Sequence, residues 1–146
     1  MILAGRYIND NMPLYVARRV VRHIISNVSD VKAAKVLVMG GTFKENVSDI
    51  RNSKVADVVK ELQEFFLNVD VVDPHADSEE LKHEYGFGLA KGVNKDYDAV
   101  IVSVCHEPYA SLDEKYFTSI TKPHALIADL KGIYRGKIKS RQYWSF

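Results

Sequence analysis

Cysteine is nearly missing from the 146-residue sequence: Cys105 stands alone, so neither an internal disulfide framework nor a cysteine-rich zinc site can be built. That economy fits a reducing compartment, and the cytoplasm is the expected location. No apolar run approaches the roughly 20 residues needed to span a bilayer, and the first residues lack the charged-then-apolar order of a secretory leader. No membrane association is expected. An excess of charge of one sign is missing too, since 20 basic side chains face 19 acidic ones and leave a formal +1. Nothing in that balance attracts nucleic acid or another polyanion, so any anion site must be local. The five histidines, His23, His75, His83, His106 and His124, include no pair at metal-binding helical spacing, and no metal site is expected. Neither a Gly-x-Gly-x-x-Gly dinucleotide fingerprint nor the Gly-Lys-Ser/Thr of a P-loop occurs. Repeats, low-complexity tracts and heptads are absent.

What is present is the composition of one soluble domain, 47% apolar and 27% charged. Residues 13 to 28 place Leu14, Ala17, Val20, Val21, Ile24, Ile25 and Val28 at helical spacing, with Arg18, Arg19 and Arg22 largely on the other side. Asn11 is the candidate N-cap, and Pro13 fits the first turn. A chain that opens on a long arginine-bearing helix, with no strand before it, reads as the tail of a preceding domain. After a linker from 27 to 34, Lys35-Val-Leu-Val-Met39 is a continuous apolar run of the kind found in parallel strands covered on both faces. Asn52 or Ser53 can cap a helix carrying Val55, Val58, Val59, Leu62, Phe65 and Phe66 on one face. Val69-Asp-Val-Val72 is the second strand, ended by Asp73-Pro74. A short polar helix over 78 to 84 and a glycine-containing loop follow, then a strand over 99 to 104, a helix over 112 to 120 and a strand over 125 to 128. The alternation predicts an α/β fold: a Rossmann-like open parallel sheet with flanking helices in three α/β/α layers, preceded by one long N-terminal helix. The aromatic end, Tyr143-Trp144-Ser-Phe146, is expected to be pinned to the body or to a partner.

Ligands of open parallel sheets sit beyond the carboxyl ends of the strands, where the strand order reverses. Three polar sets reach that edge: Thr42, Phe43, Lys44, Asp49 and Arg51 after the first strand; Cys105, His106 and Glu107 after the third; Asp129 and Lys131 after the fourth. Lys44 offers a flexible point charge for a phosphate or sugar oxygen, and Arg51 a planar fork that can hold a phosphate bidentately. The competing reading leaves both solvated or paired with Glu45 and Asp49. Asp73 occupies the place of a ribose-binding acid, but without the glycine fingerprint a turn residue before proline is the better reading. Adjacent side chains at a strand end point in different directions, so Cys105 and His106 do not read as nucleophile and base. No catalytic residue is assigned.

The run Gly41-Thr-Phe-Lys-Glu-Asn-Val-Ser-Asp-Ile-Arg-Asn-Ser53 resembles the signature that opens the C-terminal domain of UDP-glucose/GDP-mannose dehydrogenases. Ala4-Gly-Arg-Tyr-Ile-Asn-Asp-Asn-Met12 with Tyr15-Val16 looks like the end of that family's central helical domain, in the branch acting on UDP-N-acetyl-D-galactosamine, -mannosamine or -glucosamine. Val71-Val-Asp-Pro74, Tyr97-Asp-Ala-Val-Ile101, Val104-Cys-His106 and Asp129-Leu-Lys-Gly-Ile133 follow in matching order. The resemblance implies residues 1–30 as the tail of the central, dimerising domain and residues 31–146 as the UDP-sugar-binding domain. It implies Phe43 and Lys44 in the UDP-sugar site, Lys131 where many relatives carry an arginine to that ligand, and Arg51 reaching the pyrophosphate of NAD held by a neighbouring domain. The Lys131 departure keeps the charge and loses the bidentate fork. The family's glycine-rich NAD-binding domain and catalytic cysteine motif have no counterpart in these 146 residues, so the resemblance implies a homodimeric NAD-dependent UDP-sugar 6-dehydrogenase of surface-polysaccharide synthesis of which this chain alone is inactive. The alternative is a nucleotide-sugar-binding or assembly module without catalysis.

Overall fold

The computed structural model describes residues 2–40, 54–65, 68–74, 77–103 and 107–145. The Lys35–Met39 run forms β1, buried from Val36 onward, as a strand needs when both faces are covered. Beside it lies β2, Asn68–Val72, in parallel register with Val38 opposite Val71. On its other side lies β3, Tyr97–Val102, whose residues are all buried. β4, Thr121–Asp129, pairs with β3, and β5, Gln142–Ser145, pairs with β4. All four pairings are parallel, giving the order β2-β1-β3-β4-β5.

Alternation along the strands sends side chains into two cores. Val36, Val38, Ala99, Ile101, Leu126 and Ala128 face α1 (Ile2–Asn27), α2 (Lys54–Phe65) and α3 (Ser78–Tyr85). Leu37, Met39, Val100, Val102 and Ile127 face α4 (Glu107–Ala110), α5 (Glu114–Ile120) and the segment after β4, which contributes Tyr134 and Ile138. The three-layer α/β/α architecture is the one expected. Short helices are fixed by side-chain caps, Asp77 accepting from the amide of Glu80 and Asp113 from that of Tyr116.

The main departures from the sequence reading are four. α1 begins at Ile2 and runs through Pro13, where the missing N–H necessarily costs one helical hydrogen bond. Its buried stripe, Val16, Ala17, Val20, Val21 and Ile24, belongs to the same core as α2, while Arg18, Arg19 and Arg22 are exposed as expected. β3 starts two residues earlier than its apolar run, because Tyr97 and Asp98 are buried with polar partners. β4 is more than twice the expected length; its register against β3 slips between Tyr97 and Ala99, opposite the stretch holding Pro123, which cannot donate to a ladder. The fourth departure is β5, a strand where none was expected; it pins Tyr143, Trp144 and Ser145 to the body, one of the two outcomes expected.

At the amino edge of the sheet the buried carboxylate of Asp98 accepts from the Lys35 amide at 2.9 Å and lies 2.7 Å from His124 Nε2, with Lys122 Nζ at 3.5 Å. A carboxylate only accepts, so His124 carries a proton on Nε2. His23 in turn donates its Nε2 proton to the His124 carbonyl at 2.7 Å, joining α1 to β4. Tyr97 Oη donates to Asp70 at 2.7 Å and accepts from the Asn94 amide at 3.0 Å.

If α1 is part of the cooperative core, Ile24→Ala, which empties a fully buried site, should cost about 2–5 kcal/mol in denaturant unfolding of the whole chain. An unchanged midpoint would place α1 outside that core.

Candidate functional site

β1 is flanked by β2 on one side and β3 on the other, so the strand order reverses between β1 and β3, where open parallel sheets have their ligand crevice. The floor of that crevice is closely tied. Ser103, directly after β3, donates its amide to the Met39 carbonyl at 3.1 Å, and its hydroxyl lies 2.9 Å from the Met39 carbonyl and 3.0 Å from that of Gly40. The single hydroxyl proton is shared between two acceptors. Gly40 donates to the Val72 carbonyl at 2.7 Å and holds φ at 107°, a conformation that side chains disfavour. Ends of β2, β1 and β3 are thus locked together where the chain enters residues 41–53.

Next to this floor lies the turn after β4. The amide of Leu130 donates to the Val102 carbonyl at 2.9 Å, and that of Gly132 to the Asp129 carbonyl at 3.2 Å, with Gly132 at φ 69°. Lys131 stands exposed in this turn. Asp129 does not. Its carboxylate is fully buried, and Oδ2 accepts from the Tyr134 amide at 2.8 Å and from the Tyr143 hydroxyl at 2.6 Å. Oδ1 has no hydrogen-bond partner among the described residues. The Tyr134 hydroxyl donates to the Tyr109 carbonyl at 2.5 Å, and the Tyr109 hydroxyl to the Val72 carbonyl at 3.3 Å. Arg135 lies across Gly132, its Nε 2.8 Å from where a β-carbon would stand, and that Nε donates to Ser145 Oγ at 3.1 Å.

Of the residues expected to bind ligand, Phe43, Lys44 and Arg51 lie outside the described residues, as do Cys105 and His106. Lys131 is at the carboxyl edge, as the alternation of strands requires. Asp129 was expected to present its side chain there as well; it is instead consumed by the fold. Ser103, Tyr109, Tyr134 and Tyr143 were not anticipated. The available signals were a serine following the apolar run 99–102, and a tyrosine five residues beyond a strand-terminal aspartate. Among the described residues no group of three or more His, Cys, Asp or Glu side chains is arranged to hold a metal, and no helix is long and apolar enough to cross a membrane.

An open parallel sheet whose order reverses beside a glycine turn, with a lysine on the adjoining turn, is the form of a nucleotide-binding α/β domain. Residues 37–136 match the UDP binding domain of the UDP-glucose/GDP-mannose dehydrogenase family, and the chain belongs to that family. It is 39% identical over 132 residues to the UDP-N-acetyl-D-glucosamine 6-dehydrogenase of Salmonella typhi, covering 90% of this chain and 31% of that protein. Protein CapL of Staphylococcus aureus is 40% identical over 134 residues, with 91% and 31% covered. The native structure of the UDP-N-acetyl-mannosamine dehydrogenase Cap5O from Staphylococcus aureus superposes with a TM-score of 0.70 at 28% identity, over 97% of this chain and 32% of that one. The chain spans about a third of the length of these relatives.

Burial raises the Tyr143 hydroxyl to about 12, helped by its hydrogen bond to Asp129, and burial with the Asp70 hydrogen bond does the same for Tyr97. Burial likewise raises Tyr109, beyond that range. Folding therefore favours the neutral phenols. Their stabilisation is complete below the unfolded tyrosine value of 10.0 and is lost as pH rises through about 12. Stability measured across that alkaline interval should fall, and Tyr143→Phe should remove part of the slope. A slope identical in the variant would show that the Tyr143 proton is not held by the fold.

Proposed function

We propose that this chain is the UDP-sugar-binding part of an NAD-dependent UDP-N-acetylhexosamine 6-dehydrogenase, which oxidises the C6 alcohol of the sugar to a carboxylate for surface-polysaccharide synthesis in the cytoplasm. The observation that carries this reading is the match of residues 37–136 to the UDP binding domain, seated on a carboxyl edge whose strand order reverses. The identity to UDP-N-acetyl-D-glucosamine 6-dehydrogenases supports the sugar class. In this reading Phe43 and Lys44 meet the UDP-sugar, Lys44 neutralising charge on the phosphates or developing near the sugar. Lys131 meets the same ligand from the turn after β4.

The sheet edge lacks the glycine fingerprint that brings a backbone against a dinucleotide pyrophosphate, so the residues present do not fit NAD as a resident of this domain. Arg51 is instead assigned a single contact to the pyrophosphate of NAD bound by a neighbouring domain, which ties closure of the two domains to the bound dinucleotide. Residues 1–30 are assigned to the tail of the central helical domain and residues 31–146 to the UDP-sugar-binding domain, in a homodimer.

Lys44→Ala in the complete enzyme should raise the KM for UDP-sugar or lower kcat by about tenfold or more, the loss expected for one charged ligand contact. Unchanged steady-state kinetics would remove Lys44 from the site. Product analysis with a panel of UDP-sugars would fix the hexosamine.

A further inference from the structure

The turn that presents Lys131 is held from one direction that the ligand reading does not use. β5 alternates: Trp144 packs on α1, its ring 5.7 Å from that of Tyr15 and 5.1 Å from the Arg19 guanidinium carbon, while Tyr143 joins the opposite core. From there its hydroxyl reaches Asp129 Oδ2, the same oxygen that receives the Tyr134 amide. One buried oxygen therefore fixes both ends of the 129–134 segment, and its second donor comes from an edge strand. Ser145 of β5 adds a separate hold on Arg135, which lies over Gly132 next to Lys131.

Resting on the UDP-sugar reading above, we propose that Tyr143 and Asp129 are positioning residues that set Lys131 against the diphosphate of the bound nucleotide. Neither needs to touch the ligand. Asp129 has no exposed surface, and Tyr143 spends its hydroxyl proton on Asp129. Their contribution is to limit the conformations of the turn, so that the Lys131 ammonium meets the phosphates without ordering the backbone at the moment of binding. Oδ1, with no partner among the described residues, keeps the carboxylate at a cost that an apolar replacement would avoid. That expense is consistent with a role beyond core packing.

The test is titration of the 146-residue chain with UDP, followed by amide NMR so that millimolar affinities are measurable, with thermal unfolding of every variant in parallel. Tyr143→Phe keeps the ring and deletes one hydrogen bond; it should weaken UDP by about fivefold, the value of one such bond. Lys131→Ala should weaken UDP by a similar or larger factor. The decisive readout is the double variant: because Tyr143 acts through Lys131, adding Tyr143→Phe to Lys131→Ala should cost nothing further. Asp129→Asn, which retains an acceptor oxygen for both donors, should restore most of the affinity lost in Asp129→Ala. Equal UDP affinity in the parent and Tyr143→Phe, or fully additive losses in the double variant, overturns the positioning role while leaving the UDP reading intact. A parent chain whose spectrum UDP does not move overturns the UDP reading and this proposal with it.

Discussion

A carboxylate with no exposed surface at the end of a parallel strand dictates how the following chain folds back, because its charge must be met by donors that only that chain or a neighbouring strand can bring. Asp129 is that constraint here. The Tyr134 amide satisfies it from the returning segment and the Tyr143 hydroxyl from β5. Tyr134 then spends its own hydroxyl on Tyr109, whose hydroxyl reaches the end of β2. The line Val72, Tyr109, Tyr134, Asp129, Tyr143 thus crosses from β2 to β5 along the carboxyl edge. It leaves Phe117 and Tyr134 packed edge to face with ring centres 4.9 Å apart, an arrangement favoured by the aromatic quadrupoles. Remove the carboxylate, and the turn bearing Lys131 loses the reason for its course.

The two edges of the sheet are treated differently. At the amino edge Asp98 takes the Lys35 amide and the His124 ring, and Asp70 takes Tyr97 and Asn94, so both carboxylates are met by donors of neighbouring elements. At the carboxyl edge the strand ends are tied to one another through Ser103 and Gly40. A floor tied in this way meets the requirement that a binding site stand on rigid elements. Lys131 and Arg135 are described cations exposed on the turn next to that floor.

Elements buried on both faces were legible in the sequence, because an uninterrupted apolar run such as Val36 to Met39 has few other uses. α2 was legible from its period. β5 was not: with Tyr143 entering one core and Trp144 packed on α1, both faces are aromatic and the period-two signal vanishes over four residues. The first half of β4 was hidden by Pro123, which argues against a strand unless the pairing slips, as it does. At the carboxyl edge, Lys131 was readable as a cation following a strand. The inward turn of Asp129 was not, since a strand-terminal aspartate reads the same whether it meets a ligand or caps its own turn. Only its distant partner Tyr143 decides, and sequence spacing carries no information about a contact made through sheet order.

That contact also links two parts of the molecule that the sequence presents as unrelated. α1 grips β5 through Trp144, Tyr15 and Arg19, and β5 holds the ligand-edge turn through Tyr143 on its other face. Because adjacent residues of one short strand make both contacts, a shift of α1 relative to the sheet cannot be absorbed between them without breaking ladder hydrogen bonds to β4. A packed interior passes such a displacement on. A displacement of α1 would therefore be felt at Lys131, which is a mechanical reason for the helix and the carboxyl edge to belong to one folding unit.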